Sequence, residues 1–357
     1  MQLLNFGAIR IQDFLAGTLL GLILVLLPGC RVTDIPFWGL PVQSEGVCEV
    51  QRIADVPYRS DDKADSYRHC VDLFLPKGQT NYPVVVLVHG GAWMIGDNRS
   101  CGLYPAVAEF LAGQGIGVVL PNYRQSPGCK HPEHIQDLAR SVRWTQEHIR
   151  DFGGDPEKMV LVGHSAGGHL VTLLATDKKY LAAEGLETDV IRGVIGISGV
   201  YHIPSRIQEY CLGGSGDYSF HLRQIIPVRE SVDDKQPLCQ LPGIPIRLNV
   251  FGDAFGNDPL IRQDASPLFH VRPDLPPVLL MTASEELPSL NEMAREFNTK
   301  LLEAGCVSEH RTIRERNHNS IMFCALDGSD PVGRSILDFI QKVTTKPVKK
   351  DGLPGEE

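Results

Sequence analysis

The chain has no C-x-x-C pair, no internal repeat and no extended low-complexity tract. The first absence leaves a structural zinc site without its usual ligand spacing. The second excludes solenoids and propellers, and the third a scaffold built on compositional bias. Basic charge is also in deficit. The chain carries 34 Lys and Arg against 43 Asp and Glu, a net charge of −9, so no nucleic-acid partner is expected. His131-Pro132-Glu133-His134 has the look of a ligand pair, but Pro132 and the start of a helix make it a surface turn, and no metal is expected. With 357 residues, 43% of them hydrophobic and 22% charged, the chain suits one large domain with an ample core.

What is present is organised around Gly163-His164-Ser165-Ala166-Gly167. This G-x-S-x-G follows the apolar run Met159–Val162 and precedes a helix-like run from His169 to Ala175. Strand, sharp turn and helix form the context of a nucleophile elbow, in which small neighbours let a strained serine sit at the tip. Upstream, the buried-strand pattern Pro83–Val88 runs into His89-Gly90-Gly91-Ala92-Trp93. Glycines in that position let backbone N–H groups approach an oxyanion. Gly91, Ala92 and the N–H of Ala166 are the expected donors, with Gly90 shaping the turn.

With these two motifs the chain resembles the α/β-hydrolase superfamily. Within it the likeness is to the esterase branch with an H-G-G-x-W loop, which includes small carboxylesterases, kynurenine formamidases and isoprenylcysteine methylesterases. Further matches are Pro121-Asn122-Tyr123-Arg124, Phe152-Gly153-Gly154-Asp155-Pro156 and Gly196-Ile197-Ser198-Gly199-Val200-Tyr201. The resemblance covers roughly residues 50 to 343 and implies a serine, acid, histidine order along the chain. His318, in Arg316-Asn317-His318-Asn319-Ser320 after the strand-like Arg311–Ile313, stands where the family carries its base. The acid departs from the pattern. Where many relatives have a G-x-x-D turn, this chain has Ala283-Ser284-Glu285-Glu286 and no aspartate. Counting from the strand end selects Glu286, with Glu285 as the rival.

The implied architecture is an α/β-hydrolase fold, a mostly parallel, doubly wound sheet with its site at the carboxyl ends of the strands. Residues 51–343 form this domain. Residues 202–270 are an expected cap or lid over the pocket. Trp93 either walls the substrate pocket or packs its loop on the core. The implied reaction is hydrolysis of a small-molecule carboxylic ester through an acyl-enzyme at Ser165, with no cofactor. An aryl-formamide or other amide substrate is the alternative, and a catalytically silent binding protein a third reading.

Both ends fall outside this domain. Phe14 to Leu27 is an apolar run after Arg10, shorter than the ~20 residues of a bilayer-spanning helix. It ends in Leu27-Pro28-Gly29-Cys30, which resembles a lipobox with Cys30 as the acylated residue. Residues 1–30 are therefore expected to be a signal peptide or membrane anchor, residues 31–50 a linker and residues 344–357 a disordered tail, with the domain exported and lipid-held, membrane-anchored or secreted. Setting Cys30 aside from the nine cysteines leaves an even number, which suits an oxidising compartment.

Overall fold

The structure, a computed structural model, describes residues 48–204, 210–212, 225–227 and 250–345. The expected leader with Cys30, nearly all of the 31–50 linker, the middle of the 202–270 insertion and all but the start of the tail lie outside these residues. Among the described residues no helix is long and apolar enough to cross a membrane.

The fold is a mixed sheet of eight strands with helices on both faces. Its strands are β1 (Val50–Pro57), β2 (Cys70–Pro76), β3 (Tyr82–Val88), β4 (Gly117–Pro121), β5 (Gly154–His164), β6 (Ile191–Ile197), β9 (Val278–Glu285) and β10 (Ser308–Asn317). They lie in the order β1-β2-β4-β3-β5-β6-β9-β10. From β4 to β10 every pairing is parallel, whereas β1, β2 and β4 pair antiparallel at one edge. Two short strands, β7 (Tyr210–Leu212) and β8 (Ile225–Pro227), make a separate antiparallel ribbon within the 202–270 insertion.

The central strands are apolar without alternation because both their faces are covered. Val84 to Val88 and Met159 to Val162 are fully buried. Helices α1 (Leu103–Gly113) and α9 (Pro331–Thr344) contribute to one core layer, and α2 (Glu133–His148), α3 (Ala166–Thr176) and α7 (Leu290–Glu303) to the other. In α2, Ile135, Leu138 and Val142 fall on one buried face, at the spacing of a helix with a polar reverse side. Shorter helices are α4 (Lys179–Ala182), α5 (Val250–Phe255), α6 (Pro259–Asp264) and α8 (Ser320–Phe323).

Strand β2, held between the edge strand β1 and β4, carries a charge in its middle. Its Asp72 is buried and accepts hydrogen bonds from Arg99 Nε at 2.9 Å and Arg52 Nη2 at 3.1 Å. A carboxylate in mid-strand breaks the apolar pattern, yet it is tolerated because two guanidinium groups reach it.

Two expectations are corrected here. His131 and His134 do not form a surface turn. Both are buried, His131 against α5, where its N–H donates to the Ala254 carbonyl at 2.8 Å, and His134 against Tyr123. Their rings serve hydrogen bonds, with His134 Nε2 at 3.1 Å from Ser126 Oγ and His131 Nε2 at 3.2 Å from Tyr180 Oη. Nor does the even cysteine count become pairing at Cys48, Cys70, Cys129, Cys306 and Cys324, all of which are free thiols. Several are placed by bonds to backbone carbonyls instead, such as Cys70 Sγ to Tyr67 O at 3.0 Å and Cys306 Sγ to Arg272 O at 3.1 Å.

Candidate active site

The site forms at the carboxyl ends of β3, β5, β6, β9 and β10, where four chain turns meet. The first turn joins β5 to α3. Ser165 stands between them with φ 56° and ψ −119°, a conformation L-residues avoid. Close packing holds it there. A Cβ on Gly167 would stand 2.1 Å from the Val88 carbonyl oxygen, so only glycine lets α3 approach β3 this closely. The Ser165 N–H is tied to the Ile197 carbonyl at 2.8 Å, fixing the elbow to β6.

The second turn follows β10. Asn317 Oδ1 accepts from the N–H groups of Asn319 and Ser320 at 3.1 and 2.9 Å, and Ser320 Oγ accepts from the Asn317 N–H at 2.9 Å. This reciprocal cap fixes the loop that carries His318. The His318 Nε2 lies 3.0 Å from Ser165 Oγ, and its Nδ1 lies 2.5 Å from Glu286 Oε1. Both His318 and Glu286 are buried.

The third turn follows β9 and discriminates between its two glutamates. Glu285 is exposed at the strand end, whereas Glu286 points inward and is met by four donors. Its Oε1 accepts from His318 Nδ1 and from the Leu287 N–H at 2.9 Å; its Oε2 accepts from Ser198 Oγ at 2.5 Å and from the Ala283 N–H at 3.3 Å. Burial by itself would raise this carboxyl. The His318 contact, the Ser198 hydroxyl and the Leu287 N–H outweigh it and hold the group down to about 2. An acceptor-only carboxylate at Nδ1 requires the proton on that nitrogen, which leaves Nε2 bare towards Ser165 Oγ.

The fourth turn is the loop after β3. Gly91 (φ 118°), Ala92 (φ 53°) and Trp93 (φ 59°) are all left-handed. The Gly91 carbonyl closes a tight turn by accepting from the N–H groups of Met94 and Ile95, each at 3.0 Å. A Cβ on Gly91 would lie 2.0 Å from the Ile95 carbonyl oxygen. Among the described residues the Gly91 and Ala92 N–H groups have no protein acceptor. The Ala166 N–H opens α3, where helix N–H groups lack intrahelical partners. Gly90 differs, for its N–H donates to Tyr104 Oη at 2.7 Å.

Trp93 is buried. Its Nε1–H donates to His169 Nδ1 at 3.1 Å, and its ring meets Phe255 edge-on at 4.8 Å. His169 Nε2 in turn reaches the Ala265 carbonyl at 2.7 Å. These contacts tie the loop to α3 and to the chain returning from the 202–270 insertion.

Three residues at this site escaped the sequence reading as functional groups. Ser198, fully buried at φ 49°, bonds the Glu286 carboxylate; its segment was noticed only as a stretch resembling relatives. His164 and Tyr104, both buried, lie behind the serine. His164 occupies the free position of G-x-S-x-G, and Tyr104 lies in the first turn of α1, where no motif marks it.

Among the described residues one acidic grouping could approach a cation, Asp177, Asp264 and His270. Lys179 Nζ already sits between its carboxylates, 2.8 Å from Asp177 and 2.5 Å from Asp264. This cluster is well served by its own ammonium group.

The assembled site can move a proton from Ser165 Oγ to His318 Nε2 while Glu286 stabilises the imidazolium, and can present N–H groups to negative charge on an oxygen bound beside the serine.

Comparison with known proteins agrees with this architecture. Residues 71–202 match the family model described as BD-FAE. The chain is 25% identical to esterase LipQ of Mycobacterium tuberculosis over 72% of its own length and 55% of that protein. It is 26% identical to the isoprenylcysteine alpha-carbonyl methylesterase ICME of Arabidopsis thaliana, over 81% of this chain and 63% of that one. The chain spans about half the length of the M. tuberculosis relatives it matches. Among solved structures, esterase B from Lactobacillus rhamnosis superposes with a TM-score of 0.64 at 18% identity, covering 94% of this chain and 97% of that one. A truncated carbohydrate esterase from gut microbiota superposes with a TM-score of 0.61 at 17% identity, covering 86% and 99%. The fold is that of the α/β-hydrolases.

Proposed function

We propose that this chain hydrolyses carboxylic esters of small molecules through an acyl-enzyme on Ser165. The observation that carries the reading is the unbroken contact from Ser165 Oγ through His318 to Glu286, at 3.0 and 2.5 Å. The names of the relatives compared above, esterase LipQ and a methylesterase, support the same bond type.

His318 Nε2 takes the Ser165 proton as Oγ attacks the ester carbonyl. The resulting oxyanion is held by the N–H groups of Gly91, Ala92 and Ala166. Collapse of the intermediate expels the alcohol, which receives the proton from His318 Nε2. Water then attacks the acyl-serine, gives its proton to the same nitrogen, and releases the acid as Ser165 Oγ regains a proton. Trp93 acts as an anchor for the oxyanion loop through His169 and Phe255.

Hydrolysis of p-nitrophenyl esters from acetate to palmitate tests this, with Ser165→Ala in parallel. Turnover that disappears in the variant is expected, and the chain-length preference reports pocket depth. Folded protein inert towards every ester, yet active on an aryl-formamide, would replace the ester reading with the amide one.

The export reading is a second, separate proposal. It rests on the apolar run Phe14–Leu27 and on Leu27-Pro28-Gly29-Cys30. Metabolic labelling with palmitate should mark the membrane fraction of a bacterial host and be lost in Cys30→Ser. A soluble, unlabelled product retaining its first residues would overturn it.

A further inference from the structure

Behind the serine, buried polar atoms join the two loops that the proposed chemistry depends on. Three contacts form a line. Gly90 N lies 2.7 Å from Tyr104 Oη, Tyr104 Oη lies 3.1 Å from His164 Nδ1, and His164 Nε2 lies 2.8 Å from the His318 carbonyl oxygen. Gly90 begins the oxyanion loop. His318 is the proposed base.

The direction of each bond is fixed by chemistry. A carbonyl oxygen only accepts, so the His164 Nε2 carries a proton and donates to His318 O. Complete burial pushes the His164 imidazole down to about 3, and the nearby His318 ring pushes the same way, so His164 stays neutral. A neutral ring protonated on Nε2 has a bare Nδ1, which takes the Tyr104 hydroxyl proton. The Tyr104 oxygen then has a lone pair for the Gly90 N–H. In this arrangement every donor in the line meets an acceptor.

Space is equally determined. A Cβ on Gly90 would lie 3.0 Å from Ser165 Cβ and 3.1 Å from Tyr104 Oη, so the loop packs closely against both the serine and the tyrosine. The His164 and His318 ring centroids are 5.0 Å apart. Since His164 immediately precedes Ser165, the line also passes through the elbow itself.

We propose that Tyr104 and His164 are positioning residues for the hydrolysis at Ser165, acting as one unidirectional hydrogen-bonded strut that sets the oxyanion loop and the base loop against each other. The inference rests on the esterase reading above. Neither residue touches substrate. The neutrality of His164 also matters, because a charged ring there would oppose the imidazolium that forms on His318 in each half-reaction.

The test is a double-mutant cycle on the full chain, using Tyr104→Phe, His164→Gln and both together. Each is assayed for kcat and KM with p-nitrophenyl acetate and for the rate of serine labelling by a fluorophosphonate. Each single change should lower kcat and the labelling rate about tenfold with KM little changed, one lost hydrogen bond in the transition state. The double variant should fall no further than the weaker single variant, since a strut broken twice is still one broken strut. His164→Leu, which also leaves the His318 carbonyl without a donor, should lose more stability than His164→Gln while its kcat falls to the same level. Near-UV circular dichroism and thermal unfolding establish folding. Where Tyr104→Phe fails to fold, the comparison of Gln with Leu at position 164 decides alone. Losses that multiply in the double variant, or folded single variants with wild-type kcat, would overturn the strut while leaving the esterase reading intact. Wild-type protein that is neither labelled nor active would overturn both.

Discussion

Replacing Glu286 with glutamine probes the site with the sharpest internal contrast, because Glu285 stands beside it. Four donors converge on the Glu286 carboxylate, two on each oxygen. A glutamine has one acceptor oxygen and must turn its NH2 towards one of these pairs. Facing His318 Nδ1 and the Leu287 N–H, the NH2 would oppose the N–H at 2.9 Å and drive His318 to the wrong tautomer. Facing Ser198 and Ala283 it opposes only the longer contact at 3.3 Å, since the Ser198 hydroxyl can rotate to accept. The second arrangement is preferred, and it preserves the tautomer that leaves Nε2 bare. What is lost is the negative charge opposite the imidazolium. In serine-protease triads the amide replacement also imposes the wrong tautomer and costs about 10⁴-fold. Here kcat should fall about 10³-fold, equivalent to about 4 kcal/mol at the usual rate of conversion. Burst-phase and steady-state kinetics on p-nitrophenyl acetate would read it, with KM nearly constant. Glu285→Gln, at an exposed position, should stay within about twofold. Equal losses in both variants, or a folded Glu286→Gln keeping more than a third of kcat, would refute the assignment. Because Glu286 is held below the ordinary carboxylate range, its stabilising contribution is complete above that range. It disappears as pH falls towards about 2, so the stability gap between wild type and variant should narrow over that window.

Ser198→Ala removes the shortest contact to Glu286 Oε2 and should lower kcat about tenfold and stability by about 1–2 kcal/mol, read by kinetics and urea unfolding. Gly91→Ala must open the turn whose Ile95 carbonyl stands where its Cβ would go; kcat should drop about 10²-fold with a small change in Tm, and an unaltered kcat would remove Gly91 from the oxyanion loop's working part. Burial by itself would raise Asp137, but the His69 ring at 3.2 Å and Arg124 Nε at 2.8 Å outweigh it and hold the carboxyl down to about 2. Asp137→Asn should cost about 3 kcal/mol near neutral pH, and the deficit should shrink as pH falls from about 4 to 2; a pH-independent deficit would contradict the ion-pair account.

The sequence alone determined where most of the elements lie and which loops carry the residues of the candidate site. Buried parallel strands advertise themselves as unbroken β-branched runs, and the elbow needs glycines at fixed offsets from Ser165, so both are local signals. The order of the elbow, the Glu286 turn and the His318 loop is likewise a property of the chain. Tertiary structure alone decided how those parts meet. Counting from the strand end selects Glu286 over Glu285, but only the fold gives the reason, since Glu286 turns in to meet Ser198 and His318 while Glu285 stays exposed. Ser198 reads as a strand end and no motif marks Tyr104; both acquire their contacts only when β6 and α1 are packed around β5. In β2, which lies between β1 and β4, Asp72 interrupts the apolar pattern, and its burial makes sense only once Arg52 and Arg99 arrive from elsewhere in the chain. Likewise His131 reads as surface until α5, distant in sequence, packs against it. Local backbone preference and hydrophobic period are written residue by residue, whereas hydrogen bonds between groups far apart in the chain exist only after folding has brought them within 3 Å.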